Sequence, residues 1–226
     1  MSKKTGTLYV VATPIGNLED ITLRALRILK EADFIACEDT RVTKKLLNKY
    51  EIKTSLISYH QHSKISKIDQ IVEKLKEGSN GALVTDAGTP GISDPGNVLV
   101  DGCVQNDIRI EPIPGPSALT ALASVSGINM QKFTFLAFSP KKGKAGFFGE
   151  VLKSEYPVVY YESPHRLIKN LEILKEIASE SKKEPTIIIG RELTKIFEEV
   201  VRGSADKIIK YFSEKKIKGE LVVIVY

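Results

Sequence analysis

Ala82-Leu83-Val84-Thr85 runs into Asp86-Ala87-Gly88-Thr89-Pro90-Gly91-Ile92-Ser93-Asp94-Pro95-Gly96, then Val98 to Asn106, then Ile108-Arg109-Ile110. The first four residues, small, apolar or β-branched, read as a strand. The Gly/Pro-rich stretch reads as a loop, Val98 to Asn106 as a helix, and Ile108 to Ile110 as a second strand. A strand, a long return and another strand make a crossover unit, whose two strands run parallel. The rhythm extends toward the N-terminus. Leu8 to Ala12 reads as a strand, and Ile21 to Glu31 as a helix with Asp20 as its cap. Phe34-Ile35-Ala36-Cys37 and Ser55 to Ser58 read as strands. Thr40 can cap a helix running to Tyr50, and Ile65, Ile68, Ile71, Val72 and Leu75 share one face of another that ends at Gly78. Strands alternating with helices predict an α/β fold with a parallel sheet and crossover helices.

The rhythm breaks at Pro112-Ile113-Pro114-Gly115-Pro116, a stiff connector and the best candidate boundary. Two domains are expected, residues 1–114 and 115–226. Ser117 to Ser126 reads as a small-residue helix. Strands are expected near Phe133 to Phe138, Val158 to Tyr161, Thr186 to Ile189, Glu198 to Arg202 and Leu221 to Tyr226. Helices are expected over Phe147 to Lys153, His165 to Ala178 and Ala205 to Glu214. The last strands lack long crossovers, so the second sheet should be mixed and partly antiparallel. Lys141-Lys142-Gly143-Lys144-Ala145-Gly146 is the most flexible-looking stretch.

The 226 residues carry 33 Lys plus Arg against 28 Asp plus Glu, a net charge of +5, with 42% hydrophobic residues. That balance excludes disordered, collagen-like and membrane-spanning classes. The apolar run Leu8 to Ala12 is too short for a signal-peptide core. Cys37 and Cys103 are too few for a disulfide scaffold or a four-thiolate zinc site, so a reduced, cytoplasmic protein is expected. The positive charge permits an anionic partner without requiring one. Lys outnumbers Arg by 26 to 7. Arg24, Arg41, Arg166, Arg191 and Arg202 lie in or beside unusual motifs, which as a group suits anion recognition.

Ligands of open parallel sheets bind beyond the carboxyl ends of the strands. There the chain places Thr13-Pro14-Ile15-Gly16-Asn17-Leu18, the loop Asp86 to Gly96, and Pro114-Gly115-Pro116-Ser117-Ala118. One Gly/Pro loop is ordinary turn chemistry; three on one sheet edge point to a preformed pocket. None matches the dinucleotide fingerprint or the P-loop, so the pocket is not built for pyrophosphate. Asp86 can accept hydrogen bonds from ribose hydroxyls or an amine, and Asp94 either does likewise or caps the next helix. Charged clusters come after other strands: Glu38-Asp39-Thr40-Arg41, Tyr161-Glu162-Ser163-Pro164-His165-Arg166 and Gly190-Arg191-Glu192-Leu193-Thr194-Lys195. Asp39 or Thr40 can serve as a helix cap, and Ser163 with Pro164 suits a cap and first turn. His60 and His62 lack further ligands at suitable spacing, so no metal is expected. Cys37 reads as core, and no Ser lies in a nucleophile-elbow pattern.

Taken in order, these segments resemble the small-subunit ribosomal RNA methyltransferases of the tetrapyrrole methylase-like class, over nearly the whole chain. The resemblance implies a cytoplasmic homodimer of two α/β domains with S-adenosylmethionine (SAM) folded in the cleft between them. It further implies 2′-O-methylation of a cytidine ribose in the decoding region of small-subunit rRNA. By motif match the SAM pocket takes Pro14, Ile15, Gly16, Asp86, Ala87, Gly88, Thr89, Ile92 and Ser93. Ser117, Ala118, Glu162, Leu193, Gly219 and Glu220 complete it.

Attack by a ribose hydroxyl requires loss of its proton, and Glu38, Asp39, Glu162, His165 and Lys195 are the candidates for accepting or polarising it. Arg24, Arg41, Arg166 and Arg191 are the expected rRNA phosphate contacts. Two rivals stand beside this reading. A tetrapyrrole-type small-molecule methyltransferase would keep the SAM loops and have no need of the Arg-bearing segments. A non-catalytic ribosome-assembly factor would not bind SAM.

Overall fold

The computed structural model describes residues 5–59 and 65–226. The chain forms two compact units, Met1–Ser117 and Ala118–Tyr226. In the first, strands β1 (Thr7–Val11), β2 (Phe34–Cys37), β3 (Ser55–Ser58), β4 (Gly81–Val84) and β5 (Arg109–Ile113) alternate with helices α1 (Leu23–Glu31), α2 (Thr40–Lys49), α3 (Ile65–Lys76) and α4 (Asn97–Val104). The strands pair in the order β3-β2-β4-β1-β5, all parallel. Side chains alternate across the sheet, so each strand feeds two cores. Ile35, Cys37, Ala82 and Val84 pack with Ala25, Ile28 and Leu29 of α1 and Leu46 and Leu47 of α2. Phe34, Ala36 and Leu83 pack with Ile71, Val72 and Leu75 of α3 and Leu99 and Cys103 of α4.

The second unit holds α5 (Ala118–Val125), β6 (Thr134–Phe138), α6 (Lys144–Lys153), β7 (Val158–Glu162), α7 (Leu167–Glu180), β8 (Ile187–Arg191), β9 (Glu199–Gly203), α8 (Ala205–Ser213) and β10 (Leu221–Val225). Its strand order is β6-β7-β10-β8-β9; β6 and β7 are parallel and the remaining pairs antiparallel, the mixed sheet expected from the sequence. Phe148, Leu171, Leu174, Ile208 and Phe212 of α6, α7 and α8 cover one face, against Val158, Tyr160, Ile189 and Val223.

Local details depart from the sequence reading. Leu18–Asp20 form a single 3-10 turn capped by Asn17, and Ile21 is extended, so Thr22 rather than Asp20 caps α1, its hydroxyl accepting from the Ala25 N–H. Asp39, not Thr40, caps α2. Pro112 belongs to β5 rather than to a connector, and Val10 of β1 stands opposite it. β5 is a terminal strand, where a residue without an N–H is tolerated. The stretch expected to be flexible contributes the first turn of α6, which begins at Lys144. Ser163 does not cap α7; Arg166 holds that position, after a turn closed by the Arg166 and Leu167 N–H groups donating to the Ser163 carbonyl.

The cap assignment is testable. Thr22→Ala should destabilise the protein by about 1 kcal/mol in chemical denaturation followed by circular dichroism. Asp20→Ala should not destabilise it, because the buried Asp20 Oδ2 has no hydrogen-bond partner to lose.

Candidate functional site

Parallel strands leave one edge of a sheet together, so in the first unit the segments after β1, β2, β4 and β5 share an edge. There, Thr13 and Gly88 exchange backbone hydrogen bonds of 2.9 and 3.0 Å, and the Thr13 hydroxyl donates to the Thr85 carbonyl at 3.1 Å. Gly88 has a φ of +78°, and a Cβ built on it would lie 3.6 Å from Ile15 Cγ2 and 3.9 Å from the Pro116 carbonyl oxygen. The loops after β1, β4 and β5 therefore converge on one bare Cα, a cradle that a side chain would fill. Pro14 and Ile15 are buried beside it, Gly16 is exposed, and Ala87, Thr89, Ser117 and Ala118 are half-buried. Ile92 is 47% exposed. Ser93 holds a left-handed φ of 69°, uncommon for a residue other than glycine.

Two carboxylates meet at this edge. The Asp39 N–H donates to Asp86 Oδ1 at 3.1 Å, tying the β2 exit to the β4 exit. Burial raises the Asp86 pKa, against the lowering effect of that hydrogen bond. Asp39 goes the other way: the Arg41 guanidinium donates to both its oxygens, and its pKa falls to about 2. Glu38 is half-buried next to them. The Arg41 side chain is 87% exposed. Arg24 pairs with Glu111, which also takes Arg109.

The corresponding edge of the second unit holds a buried polar cluster. Glu162 faces α7 from the end of β7 with its side chain wholly buried. Its Oε1 accepts from the Ser163 N–H at 2.7 Å and its Oε2 from Asn170 Nδ2 at 2.6 Å. Asn170 Nδ2 also donates to the buried Ser139 hydroxyl at 3.3 Å. Arg166 Nε lies 3.4 Å from Glu162 Oε1, an ion pair without hydrogen-bond geometry. His165 is exposed on the intervening turn.

A second constellation joins the loop after β8 to the start of β10. Lys195 Nζ donates to Glu192 Oε1 at 2.7 Å and to Glu220 Oε2 at 2.8 Å, and the Glu220 N–H reaches the same Glu192 oxygen at 3.0 Å. Gly219 sits at φ +90°, where a Cβ would come within 2.2 Å of the Glu192 carboxyl carbon, so only glycine admits this packing. Glu192 and Thr194 hold left-handed φ values of 50° and 68°, and Leu193 between them is buried. Strain of this kind persists only where the surroundings over-determine it, and it gathers at functional loops. Burial works against both charges, yet hydrogen bonds and charge pairing prevail: the Glu192 pKa is lowered and the Lys195 pKa raised.

The arginines divide by partner. The Arg191 guanidinium pairs with Glu199 and donates to the Lys218 and Phe197 carbonyls, so it pins its own loop. Arg202 donates to the Val125 and Ser126 carbonyls and closes the end of α5. Neither internal role was read from the sequence, and neither were Asn170 and Ser139. An Asn in an apolar helical stripe is the one signal that would have marked Asn170.

Among the described residues no group of three or more His, Cys, Asp or Glu is arranged to hold a metal ion, and no helix is long and apolar enough to cross a membrane. His60 and His62 lie outside the described residues.

Residues 7–209 match the family model of tetrapyrrole (corrin/porphyrin) methylases. A protein of Halalkalibacterium halodurans named ribosomal RNA small subunit methyltransferase I is 46% identical over 97% of this chain and 75% of its own. One of the same name from Thermotoga maritima is 44% identical over 97% of each. A solved uroporphyrin-III-C-methyltransferase from Thermus thermophilus is 20% identical, covers 97% of this chain and 94% of its own, and superposes with a TM-score of 0.65, which shows the shared fold. The family match and the sequence identities thus agree, and the chain belongs to the tetrapyrrole methylase family, within its ribosomal RNA small subunit methyltransferase I group.

Proposed function

We propose that this protein methylates the 2′-hydroxyl of a cytidine ribose in the decoding region of small-subunit rRNA. The observation that carries the reading is the match, over almost the whole chain, to relatives named for small-subunit rRNA methylation. A cytoplasmic homodimer belongs to the same reading. The cofactor is SAM, whose sulfonium supplies an already activated methyl group. The first unit's edge suits it chemically: apolar side chains at Ile15 and Ile92, a glycine cradle at Gly88 and a carboxylate at Asp86, a natural acceptor for ribose hydroxyls or an amine. Pro14, Gly16, Ala87, Thr89, Ser93 and Ser117 complete the proposed site on this edge.

With an activated methyl group, positioning does most of the work, and the protein must orient the hydroxyl and take its proton. Three of the five candidates are poorly suited to that task. Glu162 has a fully buried side chain with both oxygens already accepting. Asp39, with its pKa near 2, is a weak base. Lys195, held by two carboxylates with a raised pKa, stays protonated and serves as a clamp. Glu38 and His165 remain as proposed proton acceptors. Arg41 and Arg166 are the proposed phosphate contacts, with Arg24 shared between RNA and Glu111.

The decisive experiment supplies labelled SAM with free rRNA or intact small subunits and maps the product. Label on a cytidine 2′-oxygen is expected; label on a base, or on neither substrate, overturns the reading. A second expectation concerns RNA binding. Arg41→Ala should flatten the salt dependence of binding by about one counterion, whereas Arg191→Ala should leave the slope unchanged and loosen residues 192–198. Hydrogen exchange of that loop against salt-titrated affinity separates the two.

The clamp sets a pH window. The lowered Glu192 pKa stabilises the fold above its ordinary value of 4.5 and loses that contribution as pH falls through the folded value. The raised Lys195 pKa contributes fully below its ordinary 10.5 and is lost as pH rises through the folded value. Exchange protection of residues 192–198, corrected for intrinsic rates, should therefore be flat between about pH 5 and about pH 10 and fall on both sides. Lys195→Met should abolish the plateau.

A further inference from the structure

In a regular strand residues three apart point to opposite faces, yet Phe135 and Phe138 both pack on Tyr161, each with ring centroids 5.2 Å away. The cause is a bulge: the β6–β7 register shifts between Phe135 and Phe138, and Ala137 takes a left-handed φ of 52°. Without it Phe138 would point with Leu136 toward the core, which Leu136 joins. The strained alanine instead leaves Phe138 55% exposed at the carboxyl end of its strand.

The turn beyond Phe138 is basic. Lys141 and Lys142 are exposed there, before α6, and neither has an ion pair within 4.0 Å among the described residues. Arg166 stands at the exit of the neighbouring parallel strand β7. Beneath, the buried cluster ties the two exits together. Ser139 belongs to the first exit and Glu162 to the second, and Asn170 of α7 donates to both. The Ser139 N–H also donates to the Tyr161 carbonyl at 3.0 Å. Burying a carboxylate, an amide and a hydroxyl in one cluster is costly, and their mutual hydrogen bonds offset that cost while fixing the two exits relative to each other. Here they hold an aromatic ring and three cations along one edge.

We infer that this edge of the second unit docks single-stranded RNA, with an unstacked base on Phe138 and the flanking phosphates on Lys141, Lys142 and Arg166. Exposed aromatic faces with basic neighbours bind single strands, whereas double-stranded RNA keeps its bases stacked and offers none to Phe138. The inference rests on the rRNA reading and adds Phe138, Lys141 and Lys142 to the Arg166 contact proposed there.

The test measures binding of a single-stranded RNA oligonucleotide and of small-subunit rRNA across a salt titration, with melting temperature as a folding check. Phe138→Ala should weaken binding roughly 5- to 100-fold with an unchanged salt slope, and Phe138→Trp should restore it. Lys141→Ala with Lys142→Ala should lower the slope by about 1.4, since each phosphate contact on a single strand contributes roughly 0.7. The pair Lys74→Ala and Lys76→Ala, at the end of α3, controls for general loss of charge. Unchanged affinity and slope in folded Phe138 and Lys141/Lys142 variants overturns the inference, as does weakened activity on assembled subunits with intact binding to RNA, which would assign the edge to a ribosomal protein. If the unaltered protein transfers no methyl group to any rRNA, the underlying reading fails instead; transfer by the unaltered protein with unmoved variants sinks the docking edge alone.

Discussion

Two parallel strands cannot be joined by a tight turn; the chain must leave one strand at its carboxyl end and travel back before it can start the next. In the first unit this constraint applies to every neighbouring pair, and it collects the exits of β1, β2, β4 and β5 on one edge. The exits are then fastened to one another by the Thr13–Gly88 backbone pair and by the Asp39 N–H on Asp86. The first fastener is backbone on both sides; the second holds only while the Asp86 side chain keeps its rotamer.

Charged groups in the second unit are used differently. Most of the conspicuous ones are engaged with one another: Glu162 with Ser163, Asn170 and Arg166, Lys195 with Glu192 and Glu220, and Arg191 with Glu199. Each group that sits in the interior would be expensive alone and is tolerable because its partners are in place. The result is a set of loops held in strained conformations, at Ala137, Glu192 and Thr194, that no local preference would choose. Rigid loops leave little entropy to be lost when a partner binds, which is the physical benefit of such an arrangement.

Much of this was legible in the sequence. Alternation of β-branched runs with helical stripes gave the parallel sheet, and the shortened connections near the C-terminus gave the mixed one. The Gly/Pro loops named the first unit's edge because glycine at a positive φ and proline leave a compositional trace. The features that escaped notice leave no such trace. The bulge at Ala137 uses an alanine, which announces nothing. Arg191 looks like any phosphate-binding arginine until Glu199 is seen against it, and that partner is supplied by the pairing of β8 with β9. Thr22 and Asp20 are equally good caps by residue type, and only the 3-10 turn at Leu18–Asp20 decides between them. Pro112 read as a breaker because its position at the terminal strand is a property of the sheet order, not of the strand itself.

That proline has a consequence for how far the first sheet can grow. A terminal strand offers unused backbone donors and acceptors to any passing extended chain, the usual route to strand-by-strand aggregation. On β5, Pro112 deletes one donor from that row, and Arg109 and Glu111 place opposite charges two residues apart on the same strand. An incoming strand would have to leave a carbonyl unanswered and accommodate both charges. The residue that most resembles a defect in the strand therefore acts as its terminator, keeping a five-stranded sheet from recruiting a sixth.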